Sequence, residues 1–192
     1  MDIEQQRNYW KDMTIEDAYR WGDPLSGCAK SNGKVLGNYL SLLNRLVPLI
    51  AGKVVVEIGC GAGKWTQYLA LHAKEVVAVD IIDSKYRFVA KNVRFYPTSG
   101  YELSGIATDY ADVIFSIDTL VRTDKVGLIK YMLEFKRVLK PDGKMCIHLP
   151  CEMQPLSRKF GFEKLSMEDI KELFGVCNID METINHGVIV WV

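Results

Sequence analysis

The 192-residue sequence lacks paired cysteines, a long apolar run and any signal for export. Its cysteines are odd in number and form no Cys-x-x-Cys pair, which argues against a disulfide framework and a zinc site; they are Cys28, Cys60, Cys146, Cys151 and Cys177. No segment approaches the roughly 20 apolar residues of a membrane span, and the N-terminus does not resemble a signal peptide. We therefore expect a cytoplasmic protein with no membrane span and no bound metal.

The sequence also lacks an excess of either charge. Lys and Arg together number 24, Asp and Glu together number 24, and the formal net charge is zero. Without a basic stripe, the composition argues against a nucleic-acid partner. The length and a hydrophobic content of 48% are ordinary for one globular domain.

Glycine, by contrast, is concentrated at one point of the chain. Residues 53–63 read Lys-Val-Val-Val-Glu-Ile-Gly-Cys-Gly-Ala-Gly, so an apolar strand leads into Gly59, Gly61 and Gly63 at alternate positions. A helical pattern follows from Lys64. Strand, glycine turn and helix make the first half of a βαβ unit, in which glycine allows a ligand to approach the backbone closely.

The spacing of these glycines excludes two common nucleotide-binding motifs. The dinucleotide fingerprint needs a glycine at the sixth place counted from Gly59, where Lys64 stands. The P-loop needs Ser or Thr after Gly-Lys, whereas Trp65 follows Lys64. What remains, acid-x-Gly-x-Gly-x-Gly beginning at Glu57, resembles the nucleotide-binding motif of the class I S-adenosylmethionine-dependent methyltransferases.

The order of the later elements resembles the same family. Apolar strands are predicted at 75–80, 93–96, 110–118 and 144–149, a helix at 124–139, a capped helix from Ser166, and a hairpin at 178–184 and 187–192. The resemblance covers residues 50–192 or so. It implies an α/β fold: a Rossmann-like, mostly parallel seven-stranded sheet with helices on both faces and a C-terminal antiparallel hairpin. Within the helix at 124–139, we expect one row that contains Val126, Ile129 and Leu133, and an apolar face that Met132, Phe135 and Leu139 widen.

We divide the chain into two regions. Residues 34–192 are predicted to be a single methyltransferase-like domain that begins with an amphipathic helix. Residues 1–33 are predicted to be an N-terminal helical extension, with a helix that begins at Thr14 and ends near Trp21. Its aromatic side chains either pack the extension onto the domain or belong to a lid over cofactor and acceptor; they are Trp10, Tyr19 and Trp21.

The resemblance implies S-adenosyl-L-methionine as cofactor and suggests which residues hold it. Asp80, at the end of the second strand, lies at the distance from the glycines expected of a ribose-binding acid, although such an Asp can also cap the next helix. Ile81 would pack on the adenine, and Glu57 would help to hold the cationic methionine end through water or the backbone. Family members often place an adenine-binding acid after the third strand; none stands here, and Ser99 or a carbonyl is the substitute. The predicted set is Glu57, Gly59, Cys60, Gly61, Gly63, Asp80, Ile81, Ser99 and Ser116.

Two residues are candidates for catalysis. If the acceptor is a hydroxyl, a general base helps to remove its proton. Asp118 follows the fourth strand and His148 lies near the end of the fifth, although a lone histidine on a strand is often structural. Arg122 stands near a position where some related families have a histidine, which weakens base catalysis at that point.

The acceptor is predicted to be a small molecule or a glycan-type compound, methylated at oxygen rather than nitrogen. The Asn/Asp-Pro-Pro-Tyr type of motif, found in many nucleic-acid enzymes that methylate amino groups, is absent. Three alternatives stay open: a partner protein that binds cofactor without catalysis, a protein or RNA methyltransferase, and a nicotinamide-dependent oxidoreductase. Nothing in the sequence indicates an oligomeric state.

Overall fold

The computed structural model describes residues 1–12, 34–152, 165–175, 180–184 and 187–192. The helix predicted from Thr14 to Trp21 lies outside these residues. The described helices are α1 (Ile3–Trp10), α2 (Lys34–Ile50), α3 (Thr66–His72), α4 (Lys125–Val138) and α5 (Met167–Phe174). The strands are β1 (Val54–Ile58), β2 (Glu75–Asp80), β3 (Val93–Pro97), β4 (Ala111–Ser116), β5 (Leu139–Leu149), β6 (Asp180–Ile184) and β7 (Gly187–Trp191).

The strands form one seven-stranded sheet in the order β3-β2-β1-β4-β5-β7-β6. Strands β1 to β5 run parallel to one another, whereas β7 lies antiparallel to both β5 and β6. The chain therefore starts at the middle of the sheet, winds outward through β2 and β3, and returns to β4 on the other side of β1. This order confirms the predicted Rossmann-like sheet and its terminal hairpin.

Helices cover both faces of the sheet because successive strand residues point to opposite sides. Val55 packs in a cluster with Leu46 of α2 and Leu69 of α3, while the adjacent Val56 packs in the opposite cluster with α4 and α5. Both valines are fully buried. The central strands are apolar on both faces, as parallel strands between two helical layers require.

Helix α4 buries only part of the apolar face that was predicted: Met132 and Phe135 are buried as expected, but the row of three other residues is not. Val126, Ile129 and Leu133 are 63%, 46% and 64% exposed, whereas Leu128 and Phe135 are almost fully buried. Apolar residues at helical spacing occur on both sides of this helix, so periodicity alone did not distinguish them. Tertiary packing decides: the face that carries Leu128 and Phe135 joins the core cluster that contains strand residues of β1, β2 and β4.

The sequence analysis did not predict α1. Its N-cap is Asp2, whose carboxylate accepts from the N–H of Gln5 at 2.9 Å, while the Gln5 side chain accepts from the N–H of Asp2 at 3.0 Å. This reciprocal capping satisfies two N–H groups that a helix start otherwise leaves without partners. The pair Asp2 and Gln5 was the sequence signal that could have located the helix.

Candidate active site

The glycine turn joins β1 to α3 and folds back onto the end of β2. The N–H groups of Gly59 and Cys60 both donate to the carbonyl oxygen of Val79, at 2.7 and 3.1 Å. From the other side, the N–H of Phe88 donates to the carbonyl oxygen of Ala62 at 3.0 Å. The turn is thus fixed between β2 and the loop that follows it.

Open space lies over Gly61, whereas the other two glycines are crowded. A Cβ at Gly59 would lie 2.1 Å from the Thr119 side chain, and one at Gly63 would lie 2.3 Å from that of Phe88. At Gly61, where φ is 54°, a Cβ would meet no atom within 4 Å. Gly59 and Gly63 therefore allow the turn to pack closely, and Gly61 presents bare backbone to the space in front of it.

Asp80 closes one side of this space. Its Oδ2 accepts from the N–H of Gly61 at 2.7 Å, and its Oδ1 accepts from the N–H of Ile82 at 2.9 Å. Burial raises the pKa of Asp80, and the backbone N–H groups oppose that rise. An ionised carboxyl has about four lone-pair positions, so two N–H donors leave it able to accept ribose hydroxyls.

A pocket opens at the carboxyl ends of the central strands, the edge where doubly wound sheets bind ligands. Of the predicted site residues, the structure brings six to its wall: Gly59, Cys60, Gly61, Asp80, Ile81 and Asp118. The other residues on the wall are Gln6, Trp10, Ile58, Ala62, Lys64, Trp65, Val79, Ile82, Ser84, Thr98, Ile117, Thr119, Arg122 and Tyr131.

Asp118 lies on the opposite side of the pocket from β2, where Lys64 and His148 contact it. Lys64 Nζ is 3.2 Å from Asp118 Oδ2, and His148 Nδ1 is 3.2 Å from Asp118 Oδ1. The N–H of Asp118 also donates to His148 Nδ1 at 3.2 Å. His148 is fully buried and lies behind Asp118 rather than on the wall. The two predicted catalytic residues are therefore neighbours, and Asp118 alone of them lines the pocket.

The first turns of the chain supply another part of the wall. Gln6 and Trp10 of α1 line the pocket together with Arg122, whose guanidinium lies 5.0 and 5.5 Å from the ring centres of Tyr9 and Trp10. The Gln6 side chain donates to Thr123 Oγ1 at 3.3 Å. Helix α1 is thus anchored beside the end of β4 and closes one side of the pocket.

Comparison with protein families identifies the fold. A family model described as "Methyltransferase domain" matches residues 32–182. The chain belongs to the methyltransferase domain family. This membership confirms the resemblance that the glycine motif indicated. It also confirms, at the level of the family, that the cofactor is S-adenosyl-L-methionine.

Individual relatives are more distant. Phosphoethanolamine N-methyltransferase 1 of Triticum aestivum is 28% identical over an alignment of 159 residues that covers 76% of this chain and 30% of that protein. A Saccharomyces cerevisiae protein named "Probable S-adenosylmethionine-dependent methyltransferase CRG1" is 28% identical over an alignment of 115 residues that covers 54% of this chain and 38% of that protein. The chain thus spans about a third of the length of these two relatives.

A solved structure shows the same fold over nearly the whole chain. The PH0226 protein of Pyrococcus horikoshii OT3 aligns with a TM-score of 0.67 at 20% identity, over 96% of this chain and 97% of that one. Among the helices described here, none is long and apolar enough to cross a membrane.

In this methyltransferase domain, the Glu57 side chain lies off the pocket wall. Its side chain is 2% exposed and lies 2.6 Å from Thr66 Oγ1, at the first residue of α3. Burial raises the pKa of Glu57 to about 8, which the hydrogen bond to Thr66 only partly offsets. At pH 7 the carboxyl is therefore mainly protonated, and it joins β1 to α3 across the glycine turn.

Ser116 and Ser99 also lie off the pocket wall. Ser116 is fully buried, and its hydroxyl donates to the carbonyl oxygen of Ile58 at 3.1 Å, which ties β4 to β1. Ser99 is exposed, and its carbonyl accepts from the Arg7 guanidinium at 2.7 Å. The preceding residue, Thr98, reaches the wall instead, because its N–H donates to the carbonyl oxygen of Asp80 at 2.9 Å.

Cys60 lies on the wall within the glycine turn. The side chain is buried, and burial raises the pKa of the thiol well above its ordinary value. A thiol with a raised pKa is a weak nucleophile because the thiolate is the reactive form. The residue is therefore best explained as a small side chain that fills the turn.

Several contributors to the site were not predicted from the sequence, among them Gln6, Thr98 and the ion pair of Lys64 with Asp118. A signal existed for Gln6, since the cap at Asp2 predicts a helix that carries it. No local pattern predicts the ion pair, because its members are separated by 54 residues and meet only when β4 lies beside β1.

Proposed function

We propose that this protein is an S-adenosylmethionine-dependent methyltransferase that acts on a small-molecule or glycan-type acceptor. The observation that carries the proposal is the open space over Gly61, with Asp80 on one side and Asp118 on the other. Family membership supports the cofactor, and the enclosing wall from α1 supports a compact acceptor.

The residues present fit the cofactor. Asp80 would accept the ribose hydroxyls, and the backbone of Gly61 would face the ligand at close range. Ile81 and Ile82 offer apolar surface to the adenine on the same wall. When bound, the cofactor supplies an electrophilic methyl group on a sulfonium. The chain's own contribution is to hold the two reactants in line and to exclude water, which can supply much of the acceleration of a bimolecular transfer.

The acceptor would enter from the side that α1 and Arg122 form. Trp10 and Tyr131 give this end of the pocket aromatic surface, and Gln6 gives it a polar group. The wheat relative is named for phosphoethanolamine, a small compound, which supports the same size class here.

We propose that α1 is the described part of an N-terminal region, residues 1–33, that covers the site, and that residues 34–192 form the catalytic domain.

The atom that receives the methyl group determines whether a base is required. A hydroxyl must lose its proton during transfer, so methylation of a hydroxyl requires a base at the wall, and Asp118 is the predicted residue in that position. A carboxylate acceptor, which gives an ester, is already deprotonated and requires no base. Methylation at nitrogen is the alternative. The ion pair with Lys64 engages the Asp118 carboxylate, which makes Asp118 a weaker base, and the wheat relative is named an N-methyltransferase. A neutral amine attacks through its lone pair and releases a proton afterwards. Mass-spectrometric identification of the product distinguishes an ether or ester from an amine.

Calorimetric titration with S-adenosylhomocysteine tests cofactor binding. Asp80→Ala is expected to weaken the affinity by about 1.5–3 kcal/mol, the range for losing hydrogen bonds to a charged group. Asp83→Ala, which removes an exposed carboxylate three residues farther along the same loop, is the matched control and should bind normally. Equal affinity of the wild type and Asp80→Ala would show that the ribose is held elsewhere.

Transfer of a radiolabelled methyl group tests the acceptor class. Label in the small-molecule fraction of a cell extract supports the proposal, and label in protein or RNA alone overturns it in favour of a macromolecular substrate. Tight cofactor binding with no transfer to any fraction would favour the non-catalytic partner protein.

A further inference from the structure

Arg122 places a cation at the end of the pocket that α1 closes. It ends a single 3₁₀ turn after β4, Leu120–Arg122, whose first two side chains are buried in the core. The next residue, Thr123, accepts a hydrogen bond from the Gln6 side chain at 3.3 Å. The backbone that carries Arg122 is therefore held between the core and α1.

Two aromatic rings of α1 contact the Arg122 guanidinium. Its carbon lies 5.0 Å from the ring centre of Tyr9 and 5.5 Å from that of Trp10, and the two rings meet edge to face with their centres 4.8 Å apart. A guanidinium is attracted to aromatic rings as a cation, whereas it binds a carboxylate or a phosphate through the N–H groups at its edge. The aromatic contacts of Arg122 and the binding of an anion are therefore compatible.

We propose that Arg122 binds an anionic group of the acceptor, so that the substrate is a small molecule or sugar derivative that carries a carboxylate or a phosphate. The inference rests on the proposed function, because it assumes that the acceptor occupies the end of the pocket beside α1. The uncharged part of the acceptor would lie against Trp10 and Tyr131, which line the same pocket.

The charges around the pocket favour an anion at this end. Among the described residues of the wall, the charged side chains are Lys64, Asp80, Asp118 and Arg122. Lys64 and Asp118 form an ion pair, and Asp80 is assigned to the ribose. S-adenosylmethionine itself has a net positive charge, because its sulfonium adds to a zwitterionic amino-acid group. An anionic group on the acceptor therefore meets opposite charge from both the cofactor and Arg122, whereas an acceptor with only a cationic group meets like charge from both.

The chemistry of arginine adds orientation to attraction. A guanidinium donates two parallel hydrogen bonds to a carboxylate or a phosphate, and this paired contact fixes the direction of the anion as well as its place. Because the backbone of Arg122 is held on two sides, the anionic group would be bound at a fixed distance from the methyl donor. Arg122 would thus select acceptors by the separation between their anionic group and the atom that is methylated.

Four probes that share a phenyl ring and differ in charge test the assignment: benzoate, phenyl phosphate, benzyl alcohol and benzylamine. Each is titrated into protein saturated with S-adenosylhomocysteine, and the NMR signal of the Trp10 indole N–H, identified with Trp10→Phe, reports binding. The wild type should bind the two anions about 10-fold or more tightly than the neutral and cationic probes. Arg122→Gln should lose this preference, and Arg122→Lys should retain only part of it, because lysine keeps the charge without the paired donors.

Arg94→Gln is the matched control. The Arg94 guanidinium also lies near an aromatic ring, 5.9 Å from the ring centre of Tyr110, but it does not line the pocket, so this variant should retain the full preference for anions. Equal binding of the four probes to the wild type, no binding of any of them, or a preference for anions that persists in Arg122→Gln would overturn the assignment.

Titration with S-adenosylhomocysteine separates this inference from the proposed function. Arg122→Gln should bind that ligand within about 2-fold of the wild type, which verifies that the variant is folded. A larger loss would place Arg122 at the cofactor rather than at the acceptor and would overturn the assignment. Failure of the wild type to bind S-adenosylhomocysteine would instead refute the proposed function.

Discussion

Replacing Glu57 with glutamine tests whether the acid of the glycine motif is neutral in the folded protein. Glu57 is 2% exposed, and burial raises its pKa from 4.5 to about 8. Glutamine has nearly the same shape as a protonated glutamic acid, and its amide oxygen can still accept the hydrogen bond from Thr66. The substitution therefore removes the titration and preserves the contact.

The sign of the effect follows from proton binding. Between pH 4.5 and about 8, the folded protein retains a proton on Glu57 that the unfolded chain releases. The free energy of unfolding of the wild type therefore falls as pH rises through this window, by about 1.4 kcal/mol per pH unit when the difference in protonation is complete. Glu57→Gln lacks this loss, so its stability relative to wild type should increase by about 2 kcal/mol between about pH 6 and about pH 7.5.

Urea denaturation followed by tryptophan fluorescence at several pH values measures this difference. Glu152→Gln, a substitution at an exposed glutamate, is the control and should follow the wild type at every pH. Parallel stability profiles for wild type and Glu57→Gln would mean that the folded protein holds Glu57 ionised. The carboxylate would then be available to a cationic ligand, as the sequence analysis first suggested.

Three other substitutions test the turn, the core and a helix cap. Gly61→Val should abolish binding of S-adenosylhomocysteine in a titration. Gly52→Val is the control, because Gly52 has a φ of 70° and equally open space but lies off the pocket wall, and this variant should retain binding. If both variants bind the ligand, the glycine turn does not face the cofactor. Phe135→Ala should lower the free energy of unfolding by about 3–5 kcal/mol, because Phe135 is buried in the core. Leu133→Ala, on the exposed face of α4, should lower it by about 0.5 kcal/mol or less. Similar losses in the two variants would contradict the assignment of the Phe135 face as the buried face of α4. Ser166→Ala should cost about 1 kcal/mol in chemical denaturation because Ser166 caps α5 through the N–H of Asp169, and an unchanged midpoint would refute that role.

Residues near one another in the sequence allowed most of the fold to be predicted. The apolar run from Glu75 to Asp80 became β2 with the same bounds, and Ser166 caps α5 as expected. Asp80 reached the pocket because a strand end and a nearby glycine turn fix its position with little help from the rest of the chain. These predictions depended on periodicity, caps and turns, which are properties of short segments.

The features that could not be predicted from the sequence depend on contacts between segments that are distant in the chain. The buried state of Glu57 depends on Thr66 and on the layers that surround β1, and the sequence alone does not reveal how deeply a strand-end acid is covered. The exposed row on α4 was misassigned because apolar residues occupy both sides of that helix. Asp118 was predicted as a candidate for catalysis, but its ion pair with Lys64 arises from the alignment of two strands.

The wall that α1 contributes has a consequence for how acceptor selectivity can change. The residues assigned to the cofactor belong to turns and strand ends of the sheet, whereas Gln6 and Trp10 belong to a short helix laid against that sheet from one end of the chain. A mutation in α1 can therefore reshape one side of the pocket without disturbing the glycine turn. Such an arrangement lets new substrates be explored by variation in a peripheral element, both in natural divergence and in directed evolution, while the machinery that handles the cofactor stays constant.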